Sequence, residues 1–332
     1  MSDAKSSSAT ATTGTADHGR RYRGRFAPSP SGPLHFGSLV AAVGSFVDAR
    51  AHGGTWLVRI EDLDPPRERP GAAEDILRTL ERFGLHWDGP VLRQSTRADA
   101  YEAALARLAE RGALRTCFCT RAQLTALPEN QQRAPGDELF HPPECLARTE
   151  AGPPQPALRL RAPDCDVEFV DRVQGLQRSN VAHTVGDFVL KRRDGPYAYQ
   201  LAVVVDDAEQ GITDVVRGAD LLGSTARQIV LQDALRLPRP TYMHLPIAVG
   251  MTGLKLSKSE DAPALSCSSP ATQLVAALRF LRQAPPVDLG RASLDEVWRW
   301  AISHWRPQRC AGLTTDTVTH AWGVPAPRGN AE

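Results

Sequence analysis

Two stretches of this chain carry residue types arranged for chemistry on phosphate. The first is Arg25-Phe26-Ala27-Pro28-Ser29-Pro30-Ser31-Gly32-Pro33-Leu34-His35-Phe36-Gly37-Ser38. A β-rich lead runs into a Pro/Ser turn and then into small residues, which predicts a strand, a turn and a helix N-terminus. Such an end presents unpaired N–H groups and the positive pole of the helix dipole, which suits phosphate oxygens. His35 adds a donor for an oxyanion, and Gly37 lets a flat ring or a phosphate approach the backbone. Taken alone, this pattern equally describes the start of any packed helix. The second stretch is Lys255-Leu256-Ser257-Lys258-Ser259, behind Gly250-Met251-Thr252-Gly253. The 39 basic residues include only four lysines (Lys5, Lys191, Lys255 and Lys258), so half of them sit in one pentapeptide. Arginine serves almost everywhere else, and a merely solvated loop would use it here too. Lysine is a compact, mobile point charge that can follow phosphate charge as it moves.

Other charged residues suit an anionic amino acid. Arginine offers carboxylates a planar fork, and a carboxylate is the natural partner of an ammonium group. Arg25 ends the first predicted strand and Glu61 the second. Arg217 lies beyond a continuous apolar run, Leu201 to Val205, which ends in Asp206-Asp207 and reads as a central buried strand. In a doubly wound sheet the carboxyl ends of the strands line the ligand crevice. A third cluster is Cys117-Phe118-Cys119 with His141-Pro142-Pro143-Glu144-Cys145. Zinc takes four nitrogen or sulfur ligands in a tetrahedron. The C-x-C spacing is less diagnostic than C-x-x-C, and incidental buried cysteines beside a surface histidine would give the same string. Thr116 to Pro156 is, however, Pro-rich and poor in apolar residues, so it needs a staple. Cys165, Cys267 and Cys310 stand alone and read as packing residues.

These side chains need a frame. Arg23–Ala27 and Thr55–Ile60 read as strands, His35–His52, Ala72–Phe83 and Ala98–Arg111 as helices. This alternation belongs to an α/β fold with a parallel sheet. Residues 157–173 resume β-like alternation. Phe188–Lys191 and Tyr242–Val249 read as further strands, Ser224–Leu235, Pro270–Gln283 and Leu294–Trp305 as helices. At about 150 residues per domain, 332 residues form two domains or one large domain with insertions. The 39 basic and 38 acidic residues leave a net charge of +1, which excludes a histone-like polycation but leaves room for a basic face. Hydrophobic residues, 42% of the chain, supply a sizeable core. No stretch reaches the roughly 18 apolar residues of a membrane helix. Residues 1–20 lack an apolar h-region and read as a disordered tail, not a signal peptide. Six cysteines without a secretory signal point to a reducing cytoplasm.

Together the two phosphate-directed stretches resemble the paired HIGH-like and KMSKS-like signatures of class I aminoacyl-tRNA synthetases. Arg59-Ile60-Glu61-Asp62-Leu63-Asp64-Pro65-Pro66-Arg67 resembles the second strand of the glutamyl branch. So do Leu85-His86-Trp87-Asp88 with Gln94-Ser95, and Val215-Val216-Arg217-Gly218-Ala219-Asp220-Leu221-Leu222. The likeness runs from about Arg21 to Arg282. A full glutamyl-tRNA synthetase continues into a large anticodon-binding region, whereas only 73 residues follow Ser259 here. With that shortening, R-F-A-P-S-P-S-G-P-L-H-F-G-S-L and R-R-D-G-P-Y-A-Y-Q-L-A-V-V-V-D-D are similar to the glutamyl-Q tRNA(Asp) synthetase family.

The resemblance implies a Rossmann-type class I synthetase catalytic domain, α/β, with a zinc-bearing insertion and a small helical C-terminal part. The expected division is a disordered tail at 1–20, the catalytic domain at 21–113 and 181–249, and an insertion at 114–180. The KMSKS-like loop and helical part follow at 250–309, then a loose tail at 310–332. The implied activity is tRNA-independent activation of L-glutamate with ATP, then transfer to the queuosine of the tRNA(Asp) anticodon. Implied glutamate contacts are Arg25, Phe26, Ala27, Pro28, Ser29, Glu61, Tyr199 and Arg217. Implied ATP contacts are His35, Gly37, Ser38, Lys255, Ser257 and Lys258, with His35 and Lys258 acting on the phosphates. Mg²⁺ comes with ATP. Cys117, Cys119, His141 and Cys145 are the implied zinc ligands, although the family commonly has Tyr where this chain has His141. A cytoplasmic monomer with no membrane partner is expected. Three alternatives stay open: a truncated glutamyl-tRNA synthetase charging a 3′ end, a catalytically silent tRNA-binding module, and a nucleotide-binding regulator.

Overall fold

The structure, a computed structural model, describes residues 21–133, 138–143, 156–250, 263–266 and 268–318. Lys255, Ser257, Lys258, Cys145 and Cys267 lie outside the described residues. The chain opens with β1 (Arg23–Phe26), α1 (Phe36–Ala51), β2 (Thr55–Ile60), α2 (Ala72–Arg82), β3 (Leu92–Arg93) and α3 (Ala98–Glu110). Next come β4 (Leu114–Cys117), α4 (Arg121–Thr125), β5 (Ala157–Leu160), β6 (Asp166–Asp171), β7 (Gly175–Asn180), α5 (Val181–Thr184) and β8 (Phe188–Lys191). The remainder is α6 (Tyr199–Glu209), β9 (Asp214–Gly218), α7 (Thr225–Leu235), β10 (Thr241–Leu245), β11 (Ile247–Val249), α8 (Pro270–Phe280), α9 (Leu294–His304) and β12 (Thr315–Thr317).

β1, β2 and β3 pair in parallel, as do β9, β10 and β6, with β7 antiparallel on the outer edge of β6. Thr213 joins the two groups of strands, its N–H donating to the Arg23 carbonyl at 2.9 Å. Successive strand residues point to opposite faces. Val215 enters one apolar cluster and Val216 the other, and Tyr242 and Met243 divide in the same way. The sheet therefore lies between two helical layers. Trp56, Phe46, Phe280 and Trp298 gather with α1, α8 and α9 in the first cluster. Tyr101, Leu201, Leu231 and Phe188 gather with α3, α6 and α7 in the second. Each large side chain buried this way stabilises the fold by about 1.5–3 kcal/mol.

Five expectations are corrected. Leu201–Val205 is not a strand: it is a turn of α6, with Leu201, Ala202, Val203 and Val204 buried. A short apolar run does not separate a buried strand from a helix buried on most sides. Tyr242–Val249 is two strands, split at Pro246, with β11 leaving the main sheet to pair in parallel with β12. That pairing also corrects the loose tail from 310, since residues 310–318 are built into the fold; Cys310 is buried and its thiol donates to the Leu281 carbonyl at 3.2 Å. Finally, the boundary at 180 does not follow the sheets. β6 belongs to the main sheet, and β8 completes a small antiparallel sheet in the order β4-β5-β8. Cys165, expected to pack, is exposed. Among the described residues no helix is long and apolar enough to cross a membrane.

Candidate active site

Alternation along the strands decides which side chains meet. Arg25 on β1, Arg59 on β2 and Arg217 on β9 all point away from the α1 layer, towards α6 and α7. They lie near the carboxyl ends of their strands, where Arg59 shares the Asp207 carboxylate with Arg25, and Arg25 and Arg217 line a cavity of about 440 Å³. Its walls include Arg25, Phe26, Ala27, Ser29, His35, Gly37, Ser38, Glu61, Tyr199 and Arg217, bringing the first phosphate-directed stretch and the carboxylate-directed residues into one site. Pro28 is not part of the wall. Its carbonyl accepts the Glu61 N–H at 2.9 Å and so fixes the ends of β1 and β2 to each other.

The phosphate-directed side is organised by the cap of α1. His35 Nδ1 accepts the Ser38 N–H at 3.3 Å, and the His35 N–H donates to Ser38 Oγ at 3.0 Å. This reciprocal cap leaves Nε2 as the ring nitrogen that carries the proton in a neutral imidazole. A side chain on Gly37 would place Cβ 3.1 Å from His35 Cε1, so glycine here lets the imidazole fold over the helix end. Ile247 and Ala248 of β11 line the same cavity, and the Leu265 N–H donates to the Leu34 carbonyl at 2.9 Å. The described residues on both sides of 251–262 therefore abut this end of α1.

On the opposite side, buried charges are tightly paired. Asp207 accepts Arg25 Nε–H at 3.0 Å, Arg25 Nη2–H at 3.2 Å and Arg59 Nη1–H at 2.7 Å. Arg59 also reaches Gln210 Oε1 at 2.8 Å and Glu61 Oε1 at 3.3 Å. Burial alone would push the Asp207 carboxyl up, but Arg25 and Arg59 hold it below the usual carboxylate range. For Glu61, burial outweighs Arg59 and Arg25, and its pKa is raised. An arriving ammonium group would stabilise the charged form of Glu61. Burial likewise raises the Tyr199 phenol. Arg217, 5% exposed, donates to His244 Nε2, Gln228 Oε1 and Thr225 Oγ1, each at 2.9 Å, and to the Leu221 carbonyl at 3.4 Å. All four partners are neutral or backbone groups. Sequence reasoning missed Arg59, His244 and the cavity-lining Arg67 and Asp220. The one usable signal was Arg59 itself, a charge in the otherwise apolar interior of Thr55–Ile60.

A second cavity of about 840 Å³ shares Ser29, Glu61, Arg67, Tyr199 and Asp220 with the first and runs out to Cys119. Arg121, Arg159, Arg192, Arg193 and Arg227 line it together with Asp64, Glu138 and Asp194, and Arg192 pairs with Asp194 and Arg227 with Glu138. At its far end Cys117, Cys119 and His141 bring their ligand atoms within 4.8 Å of one another. Cys117 Sγ is 3.1 Å from His141 Nε2, and His141 is fully buried. Burial, with Arg159 nearby, lowers the His141 pKa to about 4 and keeps the imidazole neutral, as a metal ligand must be. Gly186, at φ +72°, passes so close to the His141 carbonyl that a Cβ would lie 2.1 Å from it, which holds His141 in place. Two thiols and an imidazole at these distances fit three corners of a zinc tetrahedron.

Residues 21–269 match the family of class I tRNA synthetases (E and Q), catalytic domain. A glutamyl-Q tRNA(Asp) synthetase of Aromatoleum aromaticum is 55% identical over 284 residues, covering 86% of this chain and 89% of the relative. One from Pseudomonas aeruginosa is 53% identical over 304 residues, covering 90% and 99%. Among solved structures, a glutamate tRNA ligase from Elizabethkingia meningosepticum, in complex with its amino acid, is 25% identical with a TM-score of 0.71. The match covers 88% of this chain and 66% of that ligase. The extent of these matches and the order of the site residues along the chain place it in one family: the chain belongs to the glutamyl-Q tRNA(Asp) synthetases, within the class I tRNA synthetases.

Proposed function

We propose that this chain activates L-glutamate with ATP in the absence of tRNA and transfers it to the cyclopentenediol of queuosine in the tRNA(Asp) anticodon. The observation that carries the glutamate site is Arg217. It is a buried cation lining the cavity, and none of its described contacts is a carboxylate. A substrate carboxylate supplies the missing charge. Glu61 takes the substrate ammonium, and Arg25 to Ser29 with Tyr199 shape the remaining wall.

The α-carboxylate of glutamate then attacks the α-phosphorus of ATP. The bond to the bridging oxygen breaks and pyrophosphate leaves. No protein nucleophile is required, so catalysis is positioning and stabilisation of charge on phosphate oxygens. His35 donates from Nε2, and the N-terminus of α1, around Gly37 and Ser38, faces the phosphates. Lys255, Ser257 and Lys258, in the segment between β11 and Pro263, act on the departing pyrophosphate. Mg²⁺ arrives with ATP. In the second step a queuosine hydroxyl oxygen attacks the glutamyl carbonyl carbon, loses its proton and expels AMP. The arginine-bearing cavity leading to Cys119 is the approach for that RNA loop, since RNA is read largely through single-stranded loops with splayed bases.

The test compares tRNA(Asp) from cells able and unable to make queuosine, incubated with labelled glutamate and then cut into fragments. Label appears in the anticodon fragment of the queuosine-containing preparation alone. Label on the 3′ fragment, or equal charging of both preparations, overturns the reading. Pyrophosphate exchange with glutamate and no tRNA proceeds at the same time; its absence would favour a silent RNA-binding module.

Zinc is held by Cys117, Cys119, His141 and Cys145, the last outside the described residues. The donor set fits a structural site that ties β4 to the segment before β5. The purified protein carries about one zinc per chain, as one four-ligand site requires. His141→Ala weakens retention against a chelator. Metal-free protein of unchanged thermal stability would refute the site.

A further inference from the structure

Arg25 and Arg217 are both buried guanidinium groups on the same face of the sheet, yet their charges are balanced differently. Asp207 touches Arg25 and Arg59 directly. Arg217 touches His244, Gln228, Thr225 and a carbonyl, and a carboxylate enters only one imidazole further away. Asp171 Oδ2 lies 2.6 Å from His244 Nδ1. The arrangement follows from strand register. His244 on β10 pairs with Arg217 on β9, and Tyr242 pairs with Asp171 on β6. Two-residue alternation therefore puts Asp171, His244 and Arg217 side by side on one face of three neighbouring strands.

The proton position is determined by the partners. A guanidinium only donates, so His244 Nε2, 2.9 Å from Arg217 Nε, must be the acceptor. The imidazole proton then sits on Nδ1 and is donated to Asp171, which accepts only. Asp171 is anchored independently, because its Oδ1 accepts the N–H groups of Val173 at 3.0 Å and Gln174 at 2.8 Å. Asp171 and His244 are both fully enclosed, with side chains 0% exposed, so neither bond competes with water.

We propose that Asp171 and His244 are positioning residues that supply Arg217 with a relayed counter-charge. They fix the guanidinium through a neutral acceptor while keeping every carboxylate out of direct contact, so the charge of Arg217 stays available to the substrate. This rests on Arg217 being the glutamate-binding cation proposed above. A carboxylate in direct contact would hold the fork just as firmly, but it would cancel the charge and repel the incoming carboxylate. Gln228 fits the same plan, since it presents Oε1 to Arg217 while its Nε2–H is taken by Gln200 Oε1 at 2.9 Å.

Two near-isosteric substitutions separate this from simple packing. Gln228→Glu puts a carboxylate directly on Arg217. The relay predicts that the glutamate KM in tRNA-free pyrophosphate exchange rises about 100-fold, because like charges meet in a desolvated site. The ATP KM stays within about threefold of wild type, with no fall in thermal midpoint. Asp171→Asn keeps the acceptor for Val173 and Gln174 but turns a donor towards His244 Nδ1. The imidazole proton moves to Nε2 and opposes the Arg217 N–H, and the glutamate KM rises about tenfold or more. A packing role predicts that Gln228→Glu is neutral, or that glutamate and ATP requirements change together; either result overturns the relay. Arg217→Ala is measured beside them. If it leaves the glutamate KM unchanged, the glutamate site itself is wrong. If it raises that KM while Gln228→Glu does not, only the relay is wrong. Should Asp171→Asn fail to fold, Gln228→Glu alone decides.

Discussion

Arg217→Ala raises the glutamate KM for pyrophosphate exchange by at least about 30-fold, equivalent to ~2 kcal/mol or more. The ATP KM changes far less. The reason lies in what surrounds the guanidinium. Its three hydrogen bonds at 2.9 Å go to neutral side chains, so removing it deletes a positive charge that no protein carboxylate in direct contact had neutralised. Arg217→Lys does not restore affinity, because an ammonium cannot make the planar set of bonds to His244, Gln228 and Thr225 and still face a ligand. Steady-state exchange with glutamate and ATP varied in turn is the measurement. Equal changes in both KM values would show that Arg217 supports the fold and does not read the substrate.

Asp207→Ala has the largest effect expected on stability. Asp207 is the shared acceptor of two guanidinium groups, Arg25 at 3% and Arg59 at 0% exposure. Removing one partner of a buried pair costs about 3–5 kcal/mol, since the remaining charge is left unsolvated. Two cations are left here, only partly offset by Glu61. Thermal and urea unfolding measure the loss; one below about 1 kcal/mol would mean that water or rearrangement reaches Arg25 and Arg59 easily. The same carboxylate sets a pH response. Its folded pKa lies below its unfolded value, so its contribution is complete above the unfolded carboxylate pKa, about 3.9. It is lost as pH falls through the lower, folded value. Wild type therefore loses stability in acid more steeply than Asp207→Asn.

Much of the site was legible because its residues sit where local rules are strong. The Pro/Ser turn before His35 announces a helix start, and the structure caps α1 with His35 and Ser38. Arg25 and Glu61 end strands whose β-rich runs are short but bounded by turn residues. Asp206 and Asp207 were misplaced because both are buried, one on each side of a single turn. Asp206 accepts from Gln94 and Tyr101 while Asp207 faces Arg25 and Arg59, and only tertiary pairing reveals that double use. His244 and Asp171 were invisible for a related reason. Each lies in an ordinary strand pattern, and their meaning arises from cross-strand register between segments far apart in sequence. Arg59 was visible as an anomaly, a charge inside a β-rich run, and was given no role of its own.

The pairing of β11 with β12 also has a consequence for how the molecule is made. Ile247 and Ala248 wall the cavity, yet the partner strand of this segment is Thr315–Thr317. On a ribosome, the partner emerges roughly 3–13 s after β11, at about 5–20 residues per second. Until then one wall of the site is an open strand edge with unmatched N–H and C=O groups, the kind of edge that recruits foreign strands. The nascent chain thus carries a nearly complete sheet but one unsupported cavity wall, and β12, the last strand among the described residues, completes its edge.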